Sequence, residues 1–515
     1  MPLARLCSLC LHGLEATPVE VEVDTVPSEK LGLLIVGLPD TAVRESKDRV
    51  LAAVKNSGFR VGSIYCMVNL APAHLKKEGA LYDLPIAIGL IQAIGALREC
   101  PILEDYLFVG ELAFSGNLRP IKGALAIAMA AKEWGKKGVI LPSENAAEAD
   151  LVEGIQVIGI THLQEAVHFL NHPSSYSPRK KTAFPPPQHA TPSPVDFADI
   201  KGQLHAKRAL EIAAAGGHNI LLSGPPGSGK TLMARALLGI MPELSPQEAL
   251  EVTRIHSIAG LTSASDGLMR QRPFQFPHPT VSYAGMVGGG SRPKPGVISL
   301  SHHGILFLDE LPEFSRLVLE SLRQPLEDRQ VTISRAHGNY TFPSNVMCVA
   351  AMNPCPCGYL GHPEKPCRDT PLQIERYTGK ISGPLLDRLD MKLFVPPVGY
   401  RDLIEYPPGE ASESIRNRVV EARKTQHQRL GEHRTNSLMK PAEMKLYCIL
   451  DTAAAAIFYK AATAMKISAR GCDKILRVAR TIADLRHSPQ IEQQDLLEAL
   501  SFREQQTAGS QMHRL

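Results

Sequence analysis

Residues 224–231 read Gly-Pro-Pro-Gly-Ser-Gly-Lys-Thr, a run whose residue types suit the holding of a polyphosphate. Gly224, Gly227 and Gly229 let backbone N–H groups turn inward around phosphate oxygens, with Pro225, Pro226 and Ser228 completing the loop. The N-terminus of a helix that follows adds the positive end of its dipole. Lys230 can reach the β- and γ-phosphates, and the Thr231 hydroxyl can ligate Mg2+. About eighty residues on, the apolar run Ile305-Leu-Phe-Leu delivers two carboxylates, Asp309 and Glu310. Asp309 suits the Mg2+ shell, and Glu310 suits the polarising of an attacking water. Together these residues predict an ATPase that uses ATP and Mg2+.

Other positions carry two readings each. Asn353 ends the apolar run 346–352, where an amide orients water against a γ-phosphate or simply turns the chain before Pro354. Arg388 lies in Gly383-Pro-Leu-Leu-Asp-Arg-Leu-Asp390, as a finger for a neighbour's ATP or as a partner of Asp387 or Asp390. Arg470 opens a helical stretch and could touch the γ-phosphate from a lid, with Arg477 the competing residue. Cys355, Cys357 and Cys367, with Asp369 or His362 nearby, read as a Zn2+ site or as reduced thiols in a turn. The segment 288–294 carries Arg292 and Lys294, and a hairpin near 331–343 carries Arg335 and Tyr340. Basic and aromatic groups suit a DNA backbone and its bases; the alternative is an ordinary hairpin packed on its neighbour.

These residues need a frame. A strand over 219–222 before the glycine loop and a helix to Leu238 after it give the loop its required context. Residues 195–395 alternate strands and helices, the pattern of an α/β parallel sheet, with a cysteine-rich insert at 355–369. Residues 171–194 are rich in Pro, Ser and basic residues, a linker composition. Before the linker, residues 1–170 form a separate α/β unit: Val19, Val21 and Val23 alternate with Glu20, Glu22 and Asp24 as in a half-exposed strand. Residues 396–515 turn helical, with 412–430 reading as a charged, solvent-facing helix. The formal charge of +4 is too small to imply nucleic-acid binding without a local patch. Ten scattered cysteines suit a reducing compartment. The opening MPLARLCSLCLHGLEA has a short, broken apolar run and no small-residue cleavage pattern. The apolar stretch 84–97 is too short to span a bilayer. The expectation is a cytoplasmic protein without a membrane partner.

Gly224–Thr231, Phe307-Leu-Asp-Glu-Leu-Pro-Glu-Phe314, Asn353-Pro-Cys-Pro-Cys-Gly358 and Ser382-Gly-Pro-Leu-Leu-Asp-Arg388 together resemble the ComM/YifB family of magnesium-chelatase-like AAA+ proteins. The likeness extends to Val36-Gly-Leu-Pro-Asp40 and Ser468-Ala-Arg470. It implies an AAA+ P-loop core with a C-terminal helical lid, Asn353 as sensor 1, Arg388 as a trans-acting finger and Arg470 as sensor 2. It further implies a homo-hexameric ring that drives branch migration of DNA recombination intermediates in natural transformation, alongside recombinase machinery. A chelatase-type ATPase subunit and a protein-remodelling factor are the alternatives. Segment 272–279, RPFQFPHP, has one basic residue and one histidine fewer than the family pattern. Residues 1–170 resemble the Lon-protease-like (ribosomal S5 domain 2-like) fold. The region aligned with the Lon serine, Glu78-Gly-Ala-Leu-Tyr-Asp83, has no serine, Leu125 stands where the base belongs, and Lys122 is displaced. With neither nucleophile nor base, the unit reads as a non-catalytic DNA-binding or scaffolding module.

Overall fold

The computed structural model describes residues 3–97, 101–175, 195–262, 267–290, 293–335, 338–399 and 409–503. Arg292 and most of the expected linker, 176–194, lie outside them. Two sheets organise these residues. The first has seven strands in the order Gly32–Val36, Ile64–Ala71, Glu15–Pro27, Ala4–His12, Tyr106–Phe108, Gly138–Pro142 and Gln156–Ile160. The alternation at 19–24 sets the orientation of its long strand. Val19, Val21 and Val23 are fully buried while the intervening acids face outward. The opening residues form an inner strand, Ala4–His12, paired antiparallel with Glu15–Pro27, and Leu6 and Leu9 are in the core. The helix Asp83–Ala93 is apolar around nearly its whole circumference because it packs on both the sheet and the helix Thr41–Asn56. Its buried Asp83 is paired with Arg49 Nε at 2.8 Å.

The second sheet has five strands, all parallel, in the order Phe274–Gln275, Ile305–Leu308, Met347–Met352, Ile220–Ser223 and Met391–Phe394. Its three middle strands read as near-continuous apolar runs, as helices covering both faces of a parallel sheet demand. Parallel pairing brings the carboxyl ends of those three strands to one edge, where ligands sit in open α/β sheets. The glycine loop, Asp309 and Asn353 all emerge there.

The helices Ser412–Leu430, Pro441–Tyr447, Thr452–Ala464, Ala469–Leu485 and Gln493–Ser501 follow. The first corrects the sequence reading, because it is not simply solvent-facing. Ile415, Val419 and Ala422 enter the core shared with the second sheet, and Arg423 and Gln426 are buried beside them. Arg423 and Gln426 donate to the carbonyls of Ala214 and Ala215 at the end of the helix Leu204–Gly216. Long polar side chains thus satisfy carbonyls that a helix terminus leaves without partners.

The two sheets are joined by packing of Ala124–Glu133 on Pro246–Ala259. Ser257 donates to Glu148, and Arg254 to the Leu14 carbonyl. Lys122 lies over Gly260, the C-cap of the helix Pro246–Ala259, where a cation meets the negative end of the dipole. Leu125 is fully buried. No helix among the described residues is long and apolar enough to cross a membrane.

Candidate nucleotide-binding site

The strand Ile220–Ser223 turns at Gly224 into the helix Lys230–Ile240. A Cβ at Gly224 would stand 2.2 Å from the Val395 carbonyl oxygen, so the adjacent strand excludes any side chain there. Gly229 caps the helix at φ +87°, a left-handed conformation that suits glycine. The Lys230 ammonium donates to the carbonyls of Gly224 at 2.6 Å and Pro225 at 2.9 Å, and lies 3.4 Å from Asn353 Oδ1. Burial lowers its pKa to about 8, partly offset by the Asp309 charge. The Thr231 hydroxyl donates to Asp309 Oδ2 at 2.7 Å.

Three separated stretches, 224–231, 309–310 and 353, therefore meet at one sheet edge. Thr231 and Asp309 form an oxygen pair suited to the shell of a Mg2+ ion, a hard cation that takes oxygen ligands. Glu310 is exposed, and its carboxylate has no partner among the described residues. Its backbone is left-handed, at φ +50° and ψ +47°. A non-glycine residue held there is strained, and such strain collects where a side chain must be aimed. Tyr377 lies behind Asn353 with its hydroxyl on the Asn353 backbone, and burial raises its pKa to about 12. Nothing in its local sequence marked it.

Arg388 and Arg470 are not at this edge. Arg388 donates to the Pro384 carbonyl at 2.7 Å and to Glu327, and Arg470 Nη2 lies 3.3 Å from the other oxygen of Glu327. The Arg388 carbonyl accepts from Asn219 Nδ2, which precedes the strand whose far end carries the glycine loop. One turn along from Arg470, Lys474 Nζ lies 2.9 Å from Asp390 Oδ1, and Asp390 Oδ2 accepts from Asn219 N at 2.8 Å. Burial opposes the charge on Asp390, but Lys474, His218 and the Asn219 N–H outweigh it and hold its pKa below the usual carboxylate range. The four-residue strand alone separates the two ends by about 13 Å. Arg470 therefore stands at the opposite end of the sheet from Lys230 and Thr231 of the same chain. Its helix packs at the amino end of the sheet, beside Arg388. Arg477 donates to the Met439 carbonyl and is tied down. Glu327, which gathers both arginines, was not legible in the sequence as more than a surface acid.

The insert brings Cys355, Cys357, Cys367 and Asp369 together, while His362 Nδ1 instead accepts from the Glu364 and Lys365 amides. The two basic segments also meet. Gly289 pairs with Lys294, and Arg335 Nη2 lies 3.0 Å from the point where a Cβ on Gly289 would stand. Lys294 and Arg335 are exposed. Tyr340 departs from the expectation of an aromatic turned to a ligand. Its ring centroid lies 6.2 Å from that of His12, on the first sheet, and Phe342 beside it is buried near Gly13. Apolar alternation turns Val331, Ile333 and Phe342 inward and leaves Thr332, Ser334, Asn339 and Thr341 outside.

The chain is similar to known proteins along nearly its whole length. The family described as magnesium chelatase, subunit ChlI, matches residues 196–403, and its C-terminal part matches 409–503. The description subunit ChlI of Mg-chelatase matches residues 19–145. The uncharacterized protein YifB of Escherichia coli is 42% identical over 495 residues, 95% of each chain. The competence protein ComM of Haemophilus influenzae is 41% identical over 508 residues, 98% of each. Lon protease 2 of Bacillus subtilis is 30% identical over 150 residues, 28% of this chain and 27% of that one.

Proposed function

Because the chain belongs to the ComM/YifB family of magnesium-chelatase-like AAA+ proteins, we propose that it is an ATP-driven, hexameric DNA motor that promotes branch migration of recombination intermediates in natural transformation. One observation carries the ring. Thr231, Asp309, Glu310 and Asn353 lie at the carboxyl edge of the sheet, whereas Arg388 and Arg470 lie at its amino edge. A nucleotide held by one chain is then completed only by the arginines of another. The helices 412–501 act as the lid that carries Arg470 to that neighbour.

In this reading Gly224–Thr231 bind the phosphates, and Thr231 and Asp309 hold Mg2+. That ion supplies charge neutralisation for the phosphates. Glu310 polarises the attacking water, Asn353 orients it, and Arg388 stabilises the charge that develops. DNA joins as a partner through Lys294 and Arg335, whose exposed cations lie on neighbouring segments. The competence name of the Haemophilus relative supports that assignment. Phosphate contacts carry no sequence information, so substrate choice follows DNA shape.

The test is a labelled-junction assay with wild type and Glu310→Gln side by side. Wild type should resolve three- and four-way junctions only with hydrolysable ATP, and Glu310→Gln should bind ATP and junctions without moving them. If assembled, ATP-competent rings neither bind nor move junctions, the chelatase-type or protein-remodelling reading replaces this one.

A further inference from the structure

The strand that positions Asn353 runs straight into the cysteine insert, and the insert returns to touch the glycine loop. Cys355 Sγ is 3.4 Å from Cys357 Sγ and 3.5 Å from Cys367 Sγ, and the latter two are 3.6 Å apart. Asp369 Oδ2 lies 3.7 Å from Cys367 Sγ and accepts the Cys357 amide at 2.8 Å. In a tetrahedral Zn2+ centre with Zn–S near 2.3 Å, sulfurs stand about 3.8 Å apart and a carboxylate oxygen about 3.5 Å from each sulfur. The three S–S distances and the Asp369–Cys367 distance already stand within a few tenths of those values, and all four donor atoms lie within 4.8 Å of one another. Three thiolates and one carboxylate select Zn2+ over harder cations. Three thiols in mutual contact also differ from a disulfide, which joins two and excludes the third.

A second cluster, Glu251 with His302 and His303, marks the contrast. There His302 Nδ1 accepts the Asn345 amide, so its Nε2 carries the proton and donates to Glu251. That arrangement is a hydrogen-bond network in which both ring nitrogens of His302 are already engaged.

The insert is also mechanically placed. Gly358, at φ +83°, lies flat on the glycine loop: a Cβ there would stand 2.7 Å from Pro226 Cδ and 3.9 Å from the Asn353 side chain. On the other side, Asp369 directly precedes Thr370, which caps the helix Pro371–Thr378 bearing Tyr377. A metal among the four donors therefore ties the segment on Pro226 to the helix behind Asn353.

We propose that Cys355, Cys357, Cys367 and Asp369 hold one structural Zn2+ ion, and that this ion fixes Gly358 against Pro226 as a wall of the nucleotide site. The metal site stands on its own donors; the wall rests on the ATP-binding reading of Gly224–Thr231.

The test uses the full chain, purified without a histidine tag under reducing conditions, with elemental analysis and binding of a fluorescent ATP analogue. Wild type should carry about one Zn2+ per chain, and the double variant Cys357→Ser/Cys367→Ser less than about a tenth. Chelation should weaken analogue binding at least severalfold, with recovery when Zn2+ is returned. Gly358→Ala should keep its Zn2+ and bind the analogue more weakly. Lys230→Ala should keep its Zn2+ and lose the analogue, which separates failure of the metal site from failure of the ATP site. Should the cysteine variant fail to fold, thiol alkylation of wild type decides: three thiols should be slow with Zn2+ and fast after chelation. Reduced wild type that retains under about a tenth of an equivalent after exposure to excess Zn2+ overturns the site. Equal alkylation rates overturn it too. Full Zn2+ occupancy with analogue affinity unchanged on its removal overturns the wall.

Discussion

Glu327 holds both arginines proposed to serve a neighbouring chain, so neutralising it should raise turnover. Arg388 cannot remain on Glu327 and also reach a phosphate across the interface. The pair joins a side chain 14% exposed to one 45% exposed, so solvent screening keeps it near the top of the range for surface pairs, about 1 kcal/mol. Glu327→Gln removes most of that release cost, and about 1 kcal/mol in the barrier corresponds to about fivefold in kcat. Arg388→Ala should act in the opposite direction and far more strongly. A finger contributes about 10³–10⁵ in turnover, while ATP affinity is largely retained. The assay is steady-state ATP hydrolysis at a protein concentration where assembly has been confirmed, with analogue binding measured in parallel. Mixing Arg388→Ala with Glu310→Gln should restore part of the activity, at interfaces that pair an intact glutamate with an intact arginine. The reasoning is refuted if Glu327→Gln rings lose activity as Arg388→Ala does, or if Arg388→Ala rings turn over normally.

Three further outcomes follow from other parts of the structure. Burial lowers the Lys230 pKa to about 8, and a phosphate favours the charged ammonium. Analogue affinity should be level below about pH 8 and fall as much as tenfold per pH unit above it, since binding must then take up a proton; a level profile to pH 9.5 would contradict the buried lysine. Lys474→Met leaves the buried Asp390 carboxylate without its ammonium, at a cost of about 3–5 kcal/mol by urea unfolding, most of it recovered by adding Asp390→Asn. The folded Asp390 pKa is depressed, so its contribution is present above the unfolded carboxylate value and lost as pH falls through the folded one; the single variant should show a shallower loss in acid. Lys294→Ala with Arg335→Ala should leave basal hydrolysis intact and reduce the slope of log affinity for DNA against log salt by about 2, for two lost phosphate contacts. An unchanged slope would place the DNA elsewhere.

Local order determined what the sequence could say. The glycine loop, Lys230 and Thr231 are contiguous, and their chemistry needs only a strand before and a helix after. Asp309 and Glu310 end an apolar run that has to be a buried parallel strand, which fixes the edge where they emerge. The alternation at 19–24 likewise set the face of a strand. Tertiary packing decided the rest, because those contacts join residues that no local pattern links. Glu327 meets Arg388 sixty-one positions away, and Arg470 reaches it only because its helix packs at the amino end of the sheet. Asp369 rather than His362 closes the cysteine cluster, since the loop turns the imidazole onto its own backbone. Tyr340 turned inward because the first sheet supplied a surface for it. The helix at 412–430 looked solvated by composition, yet it buries a stripe including Ile415, Val419 and Ala422 and uses two long polar side chains to satisfy another helix's carbonyls. Composition reports how polar a helix is, but only the packed neighbours determine which of its polar groups are desolvated and what they must bond.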